Sequence, residues 1–406
     1  MSVNDPMKWH SEGKEMAGQR KRNTPRKRSV HGGGTVFLRK DGRWEARFKV
    51  EETGKYKSLY AKSEKEAYQL LEDAKFQQRQ GALATGPQQT VGQFLEYWLE
   101  NVQKPAVRRR TYVNNRVVVR RHLIPGLGHI KLQKLTAQQV QAFYARKLKE
   151  GTAASRIRSL QAVLHKALTH ARRIKLVGFN VTEDVELPKA KKAKHTVLTS
   201  EQARLLLEGA KERELDVLLA LAVSTGMREG EILALRWSDM DLVEGKLQVS
   251  HTLDYLPDDE GRYGFVEGEP KTESSNRTIL LPRFLVALLK KHRALQAEKR
   301  LQAGAKWVDH NLVFPNDVGG FILPGVLRRR FYQVLSTVGL PRMRFHDLRH
   351  SAATILISMK VPLNVIQELL GHSDISITLG VYGAVLPPMQ KEAMDTMDTL
   401  FGNNLS

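Results

Sequence analysis

A lysine-rich stretch without a helix cap, LPKAKKAKH from Leu187 to His195, divides this chain into halves of different hydrophobic rhythm. Ahead of it, from about residue 88 to 180, apolar residues recur at helical spacing alone; beyond it, helical runs alternate with short strand-like ones. No hydrophobic core can run through so densely charged a segment, so the halves must fold as separate units. At 406 residues the chain has material for two or three of them.

A second boundary, GALATGPQQ, sets off a strand-rich front end, residues 35–82. Asp41-Gly42 and Thr53-Gly54 supply turns between alternating runs, which predicts three antiparallel strands. Ser63 and Glu66 form a capping box for a following helix with Ala67, Leu70, Leu71 and Ala74 as its buried stripe. That helix covers one face of the sheet. The other face carries basic residues, Arg43 and Arg47 among them, and a ribbon of this size fits a DNA major groove. Residues 1–34 read as a flexible basic arm, Arg20, Lys21, Arg22, Arg26, Lys27 and Arg28 lying close together; a merely solubilising tail is the alternative.

The helical half opens with Val91, Phe94, Leu95, Trp98 and Leu99 on one face, and further helices are expected at about 136–149 and 152–173. Between them, Arg108, Arg109, Arg110, Arg116, Arg120 and Arg121 are interleaved with valines, as in a helix that packs on one side and meets phosphates on the other. Lysine and arginine outnumber acids 65 to 43, a net charge of +22, which favours a polyanionic partner, nucleic acid first. The absence of cysteine rules out disulfides, thiolate zinc sites and a cysteine nucleophile. No apolar run reaches the roughly 18 residues of a membrane span, and the N-terminus lacks the apolar core of a signal peptide, so a cytoplasmic, DNA-associated protein is expected.

Several motifs beyond the connector carry chemistry. RFHDLRHSAATIL, Arg344 to Leu356, is helical by pattern and brings His346, Arg349 and His350 to one face. So much cationic capacity asks for an anion: a carboxylate, a phosphate or the ligands of a metal. In TGMREGEILALRW, Arg228 and Glu231 stand three apart at the start of a helix; in isolation such a pair is a surface ion pair of little worth. PKTESSNRTILLP sets Lys271 in a turn ahead of a strand, ELLGHSD places His372 after a helix ending at Gly371, and SITLGVYGAVLP carries Tyr382 shortly before a proline stop. KLQVSHTLDYL and RTILLP read as the strands of this half.

In this order the motifs resemble the tyrosine recombinase family, the phage-type integrases, over about Leu198 to Pro388. The resemblance implies a multidomain α+β chain. It would comprise an arm-type DNA-binding domain (35–82) of a three-stranded sheet plus helix, an all-α core-binding domain (88–180) and a basic linker (181–197). A mainly helical catalytic domain with a small antiparallel sheet (198–388) and a C-terminal tail (389–406) would follow. It also assigns roles. Arg228 and Arg349 match the pair that clamps a phosphodiester, whose anionic oxygens otherwise repel a nucleophile. Tyr382 matches the nucleophile that forms a 3′-phosphotyrosine bond, and Lys271 the acid for the leaving 5′-oxygen. His346 would assist the phenol and contact the phosphate, His372 would bond a non-bridging oxygen, and Glu231 would orient its neighbours. Ala384 stands where many members have a histidine, outside the chemical set.

The implied activity is site-specific DNA recombination by a mobile-element integrase without cofactor or metal. Double-stranded DNA with paired recombination sites is the implied partner, a homotetramer the implied assembly, and an accessory directionality factor a candidate partner. No membrane is involved. Two other readings compete. His346 and His350 have the spacing of a zinc helix, as in a metal-dependent hydrolase, although Asp347 replaces the usual glutamate and Arg349 puts a fixed positive charge beside the metal. A non-catalytic DNA-binding regulator on an integrase scaffold would be expected to have lost a chemical residue, and the matched set is complete.

Overall fold

The computed structural model describes residues 34–51, 54–79, 83, 88–190, 196–269 and 276–371. Lys271, His372, Tyr382, Ala384, the tail, nearly all of the basic arm and the central lysines of the connector lie outside the described residues. The chain separates into two compact units, one of Met1–Val102 with Val117–Lys189 and one of Gln103–Arg116 with Ala190–Ser406.

In the first unit, strands β1 (Thr35–Leu38), β2 (Trp44–Lys49) and β3 (Tyr56–Ala61) form an antiparallel sheet in the order β1-β2-β3. Its inner face, Ala46, Phe48 and Ala61, packs on Ala67, Leu71 and Ala74 of helix α1 (Glu64–Arg79). The Ser63 hydroxyl accepts the Glu66 amide as expected, but the Glu66 carboxylate reaches back to the amide of Lys62. Gly34 is required by closeness as well as by φ +73°: a Cβ there would stand 2.9 Å from the carbonyl oxygen of Arg47 and from Leu71. Glu45 is buried, yet it accepts from Arg39 at 2.7 Å and from Ser58 at 2.6 Å, so its charge is compensated.

Helix α2 (Val91–Trp98) begins at Thr90, whose hydroxyl and backbone amide exchange hydrogen bonds with Gln93 in a capping box. Val91, Phe94, Leu95, Trp98 and Leu99 are all buried, as their spacing implies. Leu99–Gln103 widen into a π-helical turn; α3 (Lys104–Ala106) and α4 (Arg109–Val118) follow, and their residues as far as Arg116 belong to the second unit. A second π-helical turn, Val119–Leu123, leads into α5 (Ile124–Leu127). The long helices α6 (Ala137–Lys149) and α7 (Ala154–Arg173) complete this part, with Phe143, Tyr144, Ile157, Leu160 and Leu164 buried.

The second unit is built around α9 (Asp216–Thr225), where every residue from Val217 to Ala222 is buried. A helix apolar all round can only be a core helix. Against it pack α8 (Ser200–Ala210), α10 (Glu229–Ala234), α11 (Arg283–Ala303) and α13 (Asp347–Ser358), with α12 (Pro324–Thr337) on α8 and α14 (Leu363–Leu370) on α13. Thr199 caps α8, with Gln202 closing its capping box. Strands β4 (Met240–Asp241), β5 (Lys246–Val249) and β8 (Arg277–Leu280) form one antiparallel sheet with β5 central, while β6 (Thr252–Pro257) and β7 (Tyr263–Gly268) form a separate hairpin. KLQVSHTLDYL is therefore two strands in two sheets, broken at Ser250-His251, and β7 was not foreseen. The hairpin carries an aromatic ladder, Tyr255 lying 5.4 Å from Tyr263 and 5.0 Å from Phe265 between ring centroids.

Candidate active site

The site is assembled on the C-terminal end of α14. Three successive carbonyls there each accept from a different guanidinium: Leu369 from Arg277 Nε at 2.7 Å, Leu370 from Arg349 Nη2, and Gly371 from Arg228 Nη2 at 3.3 Å. A helix C-terminus presents unsatisfied carbonyls and the negative end of the helix dipole, so it can hold several cations that would otherwise repel. Gly371 closes the helix with φ +64°, as the LLGH sequence implied.

Arg228 is the N-cap of α10 and Glu231 its third residue. The Glu231 carboxylate accepts the Arg228 amide at 2.9 Å through Oε2 and the Arg228 guanidinium at 2.6 Å through Oε1. In isolation the motif reads as an ordinary surface pair, whereas the family resemblance has Glu231 orient its neighbours. The structure buries Glu231 to 2% side-chain exposure while Arg228 keeps 36%, so a fixed anion aims a partly open cation. Burial by itself would raise the Glu231 pKa; Arg277, the Arg228 amide and the Arg228 guanidinium outweigh it and leave the carboxyl below its ordinary range.

Arg349 is buried, and its Nη1 also donates to the Gly226 carbonyl at 2.8 Å. Gly226 ends α9 in the left-handed conformation, and a Cβ there would lie 2.2 Å from a Leu370 methyl. Two helix C-termini, those of α9 and α14, thus grip one guanidinium. Burial, and then the neighbouring Arg228, push its pKa down to about 9, with Arg277 acting the same way and Glu231 opposing them. It remains a cation at neutral pH.

His346 is the N-cap of α13, which begins at Asp347 and not at Arg344. His346 stays exposed while Arg349 turns inward, so the three basic residues of this turn do not share one environment; the rings of His346 and His350 meet edge to face at 5.4 Å. Although its rim is open to solvent, the protein packed behind the His346 ring, and next the Arg349 charge, lower its pKa and favour neutral imidazole. Asp347, which the zinc-helix reading would enlist, is buried and binds Arg344 through both oxygens, at 2.7 and 3.1 Å. Among the described residues no group of three histidine, aspartate or glutamate side chains is placed to hold a metal.

Arg277 escaped the sequence reading. It is 7% exposed and donates Nη2 to Glu231 Oε2 at 3.1 Å. The signal was present: along β8 the burial alternates, and Arg277 falls in phase with the buried Ile279, an arginine on the core face of a strand.

The basic residues foreseen as DNA contacts divide into groups. Arg43 and Arg47 lie on the outer face of the front sheet, their guanidiniums 5.4 Å from the Tyr60 ring and 4.8 Å from the Tyr56 ring. In the helical part of the first unit, Arg120 bonds Glu96 at 2.9 Å and Glu100 at 3.1 Å. In the second unit, Arg116 is buried and bonds Asp259 at 3.1 Å and the Asp258 carbonyl at 2.9 Å, both on the β6–β7 turn; Arg110 pairs with Asp254, and Arg108 reaches the Glu269 carbonyl at 3.3 Å. Arg109 and Arg121 are exposed.

Residues 196–387 match the model of the phage integrase family and residues 90–148 that of the phage integrase N-terminal SAM-like domain. A tyrosine recombinase XerC-like protein of Caldanaerobacter subterraneus subsp. tengcongensis is 30% identical over 367 residues, covering 86% of this chain and 94% of that protein. The chain belongs to the phage integrase family of tyrosine recombinases. Among solved folds, the Tn1549 transposon integrase in complex with a circular intermediate DNA aligns at TM-score 0.64 and 18% identity, over 76% of this chain and 99% of that one. A lambda integrase tetramer bound to a Holliday junction aligns at TM-score 0.54 and 18% identity, over 86% of this chain and 97% of that one. The recombinase is thus a multidomain α+β protein of the integrase fold, and among its described residues no helix is long and apolar enough to cross a membrane.

Proposed function

We propose that this recombinase cuts and rejoins DNA at paired sites of a mobile element, with Arg228 and Arg349 clamping the scissile phosphate and Tyr382 as nucleophile. The observation that carries the assignment is the convergence of Arg228 and Arg349 at the end of α14, one residue before His372 in the sequence. In the reaction the Tyr382 oxygen bonds to phosphorus as its proton passes to the His346 imidazole, and the bond to the 5′-oxygen breaks. Lys271 supplies the proton that leaves a 5′-hydroxyl. The phosphotyrosine retains the energy of the broken bond, so a second 5′-hydroxyl can reverse the step on a new partner without an external energy source. The two guanidiniums stabilise the extra negative charge of the pentacoordinate phosphorus. His346, whose desolvation by the protein packed behind it and whose Arg349 neighbour favour the neutral ring, takes the phenol proton, while His372 donates to a non-bridging oxygen and Glu231 fixes Arg228.

Residues 35–82 act in this reading as the arm-type DNA-binding domain, 88–180 as the core-binding domain, 181–197 as linker and 198–388 as the catalytic domain. Arg43, Arg47, Arg108, Arg109, Arg110, Arg116, Arg120 and Arg121 supply phosphate contacts, those now ion-paired exchanging carboxylate for phosphate. The lambda integrase neighbour, a tetramer on a Holliday junction, supports the same assembly here. Such work places the protein in the cytoplasm, on DNA.

Tyr382→Phe tests the nucleophile. The variant should bind duplex as wild type does yet form no denaturant-stable protein–DNA adduct, whereas wild type should form a 3′-linked adduct in EDTA. Adduct formation by the phenylalanine variant would move the nucleophile elsewhere, and its loss in EDTA would revive a metal mechanism.

A further inference from the structure

Arg277 stands outside every role assigned above, yet it ties together three elements that bear on the reacting groups. From β8 it donates to Glu231 on α10 at 3.1 Å and to the Leu369 carbonyl at the end of α14 at 2.7 Å. Glu231 Oε2, the oxygen that takes Arg277, also takes the Arg228 amide, while Oε1 holds the Arg228 guanidinium. Arg277 is paired across the sheet with Val249 of β5, a buried position where an aliphatic side chain would ordinarily stand. Burying a guanidinium costs several kcal/mol of hydration, and well-packed apolar residues often replace buried ion pairs without loss of stability. Stability alone is therefore a poor reason for an arginine here, whereas geometry is a good one.

We propose that Arg277 is a positioning residue of the recombination site: through Glu231 it holds the Arg228 guanidinium in register with the α14 carbonyls on which Arg349 is also seated. The proposal rests on the assignment of Arg228 and Arg349 as the phosphate clamp. Arg277 does not touch the phosphate. It supplies the second cation that keeps Glu231 ionised and the second anchor that keeps the carboxylate from following Arg228. With a neutral residue in its place, Glu231 would face Arg228 on its own helix and Arg349 from α13, with no charge from the β8 side. Its proton affinity would rise, and protonation would free Arg228 to reorient.

The test is single-turnover adduct formation by the full chain on a nicked duplex copied from the ends of the genetic element that carries its gene. Affinity for the same duplex, thermal melting and the pH profile are measured alongside. Arg277→Gln is expected to slow adduct formation about 10- to 100-fold, the scale of an ångström-level misplacement, with affinity within about 2-fold and the acidic limb of the profile moved to higher pH. Combining it with Glu231→Gln should slow the reaction no further than Glu231→Gln alone. Arg277→Lys keeps the charge beside Glu231 but cannot span to Leu369, so it should be slowed only several-fold and keep the wild-type profile. If the glutamine variant fails to melt as a folded protein, the lysine variant carries the test by the same split between rate and affinity. A full rate in Arg277→Lys, an unshifted profile in a folded Arg277→Gln, or multiplicative effects in the double variant would overturn the proposal. Arg228→Ala serves as the separate control: if it forms adduct at the wild-type rate, the assignment of the clamp itself falls, independently of Arg277.

Discussion

The front sheet and the end of α14 both gather arginines, and they do so by opposite means. On the sheet, Arg39, Arg43 and Arg47 lie over the exposed rings of Tyr60 and Tyr56; Arg39 and Arg43 are also tied to Glu45 and Asp41, and it is Arg47, over Tyr56, whose guanidinium keeps most of its hydration and can slide. At α14, Arg277 and Arg349 are buried and Arg228 half-exposed, each fixed by carbonyl or carboxylate oxygens at defined distances. The first arrangement offers charge to a partner whose position is not specified in advance. The second specifies position before the partner arrives, which electrostatic catalysis requires.

The comparison breaks most sharply at Arg349. Arg349→Lys preserves charge but cannot bridge the Gly226 and Leu370 carbonyls, leaving a buried acceptor unmatched, so about 2–4 kcal/mol of stability should be lost. Adduct formation should fall by three orders of magnitude or so, since on the proposed assignment the clamp loses its forked donor and keeps only a misplaced point charge. Denaturant unfolding and the adduct assay check both; a lysine variant as stable and active as wild type would equate the two arginine sets.

Acid should separate the same two regions more gently. His346 and His292 both have depressed pKa values, burial being the first cause in each, so the unfolded chain takes up their protons at higher pH than the folded one. Stability of the second unit therefore declines as pH falls below about 6.5. The front sheet, residues 34–79, contains no histidine. Its Glu45 is held below the ordinary carboxylate range by Ser58 and Arg39, so its contribution is lost only as pH falls past about 4.5. Hydrogen exchange at pH 7 and pH 5.5, corrected for intrinsic rates, should show peptides of α9 and α13 losing protection and those of β2 keeping it. Uniform loss would remove the distinction.

The smallest effect belongs to the sheet surface. Arg47→Ala together with Tyr56→Ala removes one exposed cation–π contact, with a stability change of about 0.5–1 kcal/mol. Its DNA phenotype should be a salt dependence of binding shallower by about one counterion. A larger stability loss would mean that these stacks are structural after all.

These two regions were also unequally legible. The alternation of β2 and the stripe on α1 revealed the front sheet because each local choice of residue agrees with the fold. Arg228 and Arg349 were found through short motifs, but the burial of Glu231 was invisible, since its second cation lies 46 positions away along the chain. Arg277 was hidden by its type, an arginine being read as solvent-facing by default. The β6–β7 hairpin was missed because YGFVEG offers little alternation, with both of its glycines exposed. Backbone acceptors such as Gly226 and Leu370 have no side-chain signature at all.

Helix α14 spans only eight residues, too few to persist alone in water. Its last carbonyls hold the three guanidiniums, and the guanidiniums in turn supply the opposite charge that keeps its final turn wound. A fraying of one turn would take an acceptor from Arg228, Arg277 and Arg349 at once, leaving the first two to Glu231 and the third to the Gly226 carbonyl, so the three arginines would be loosened in concert and not one by one.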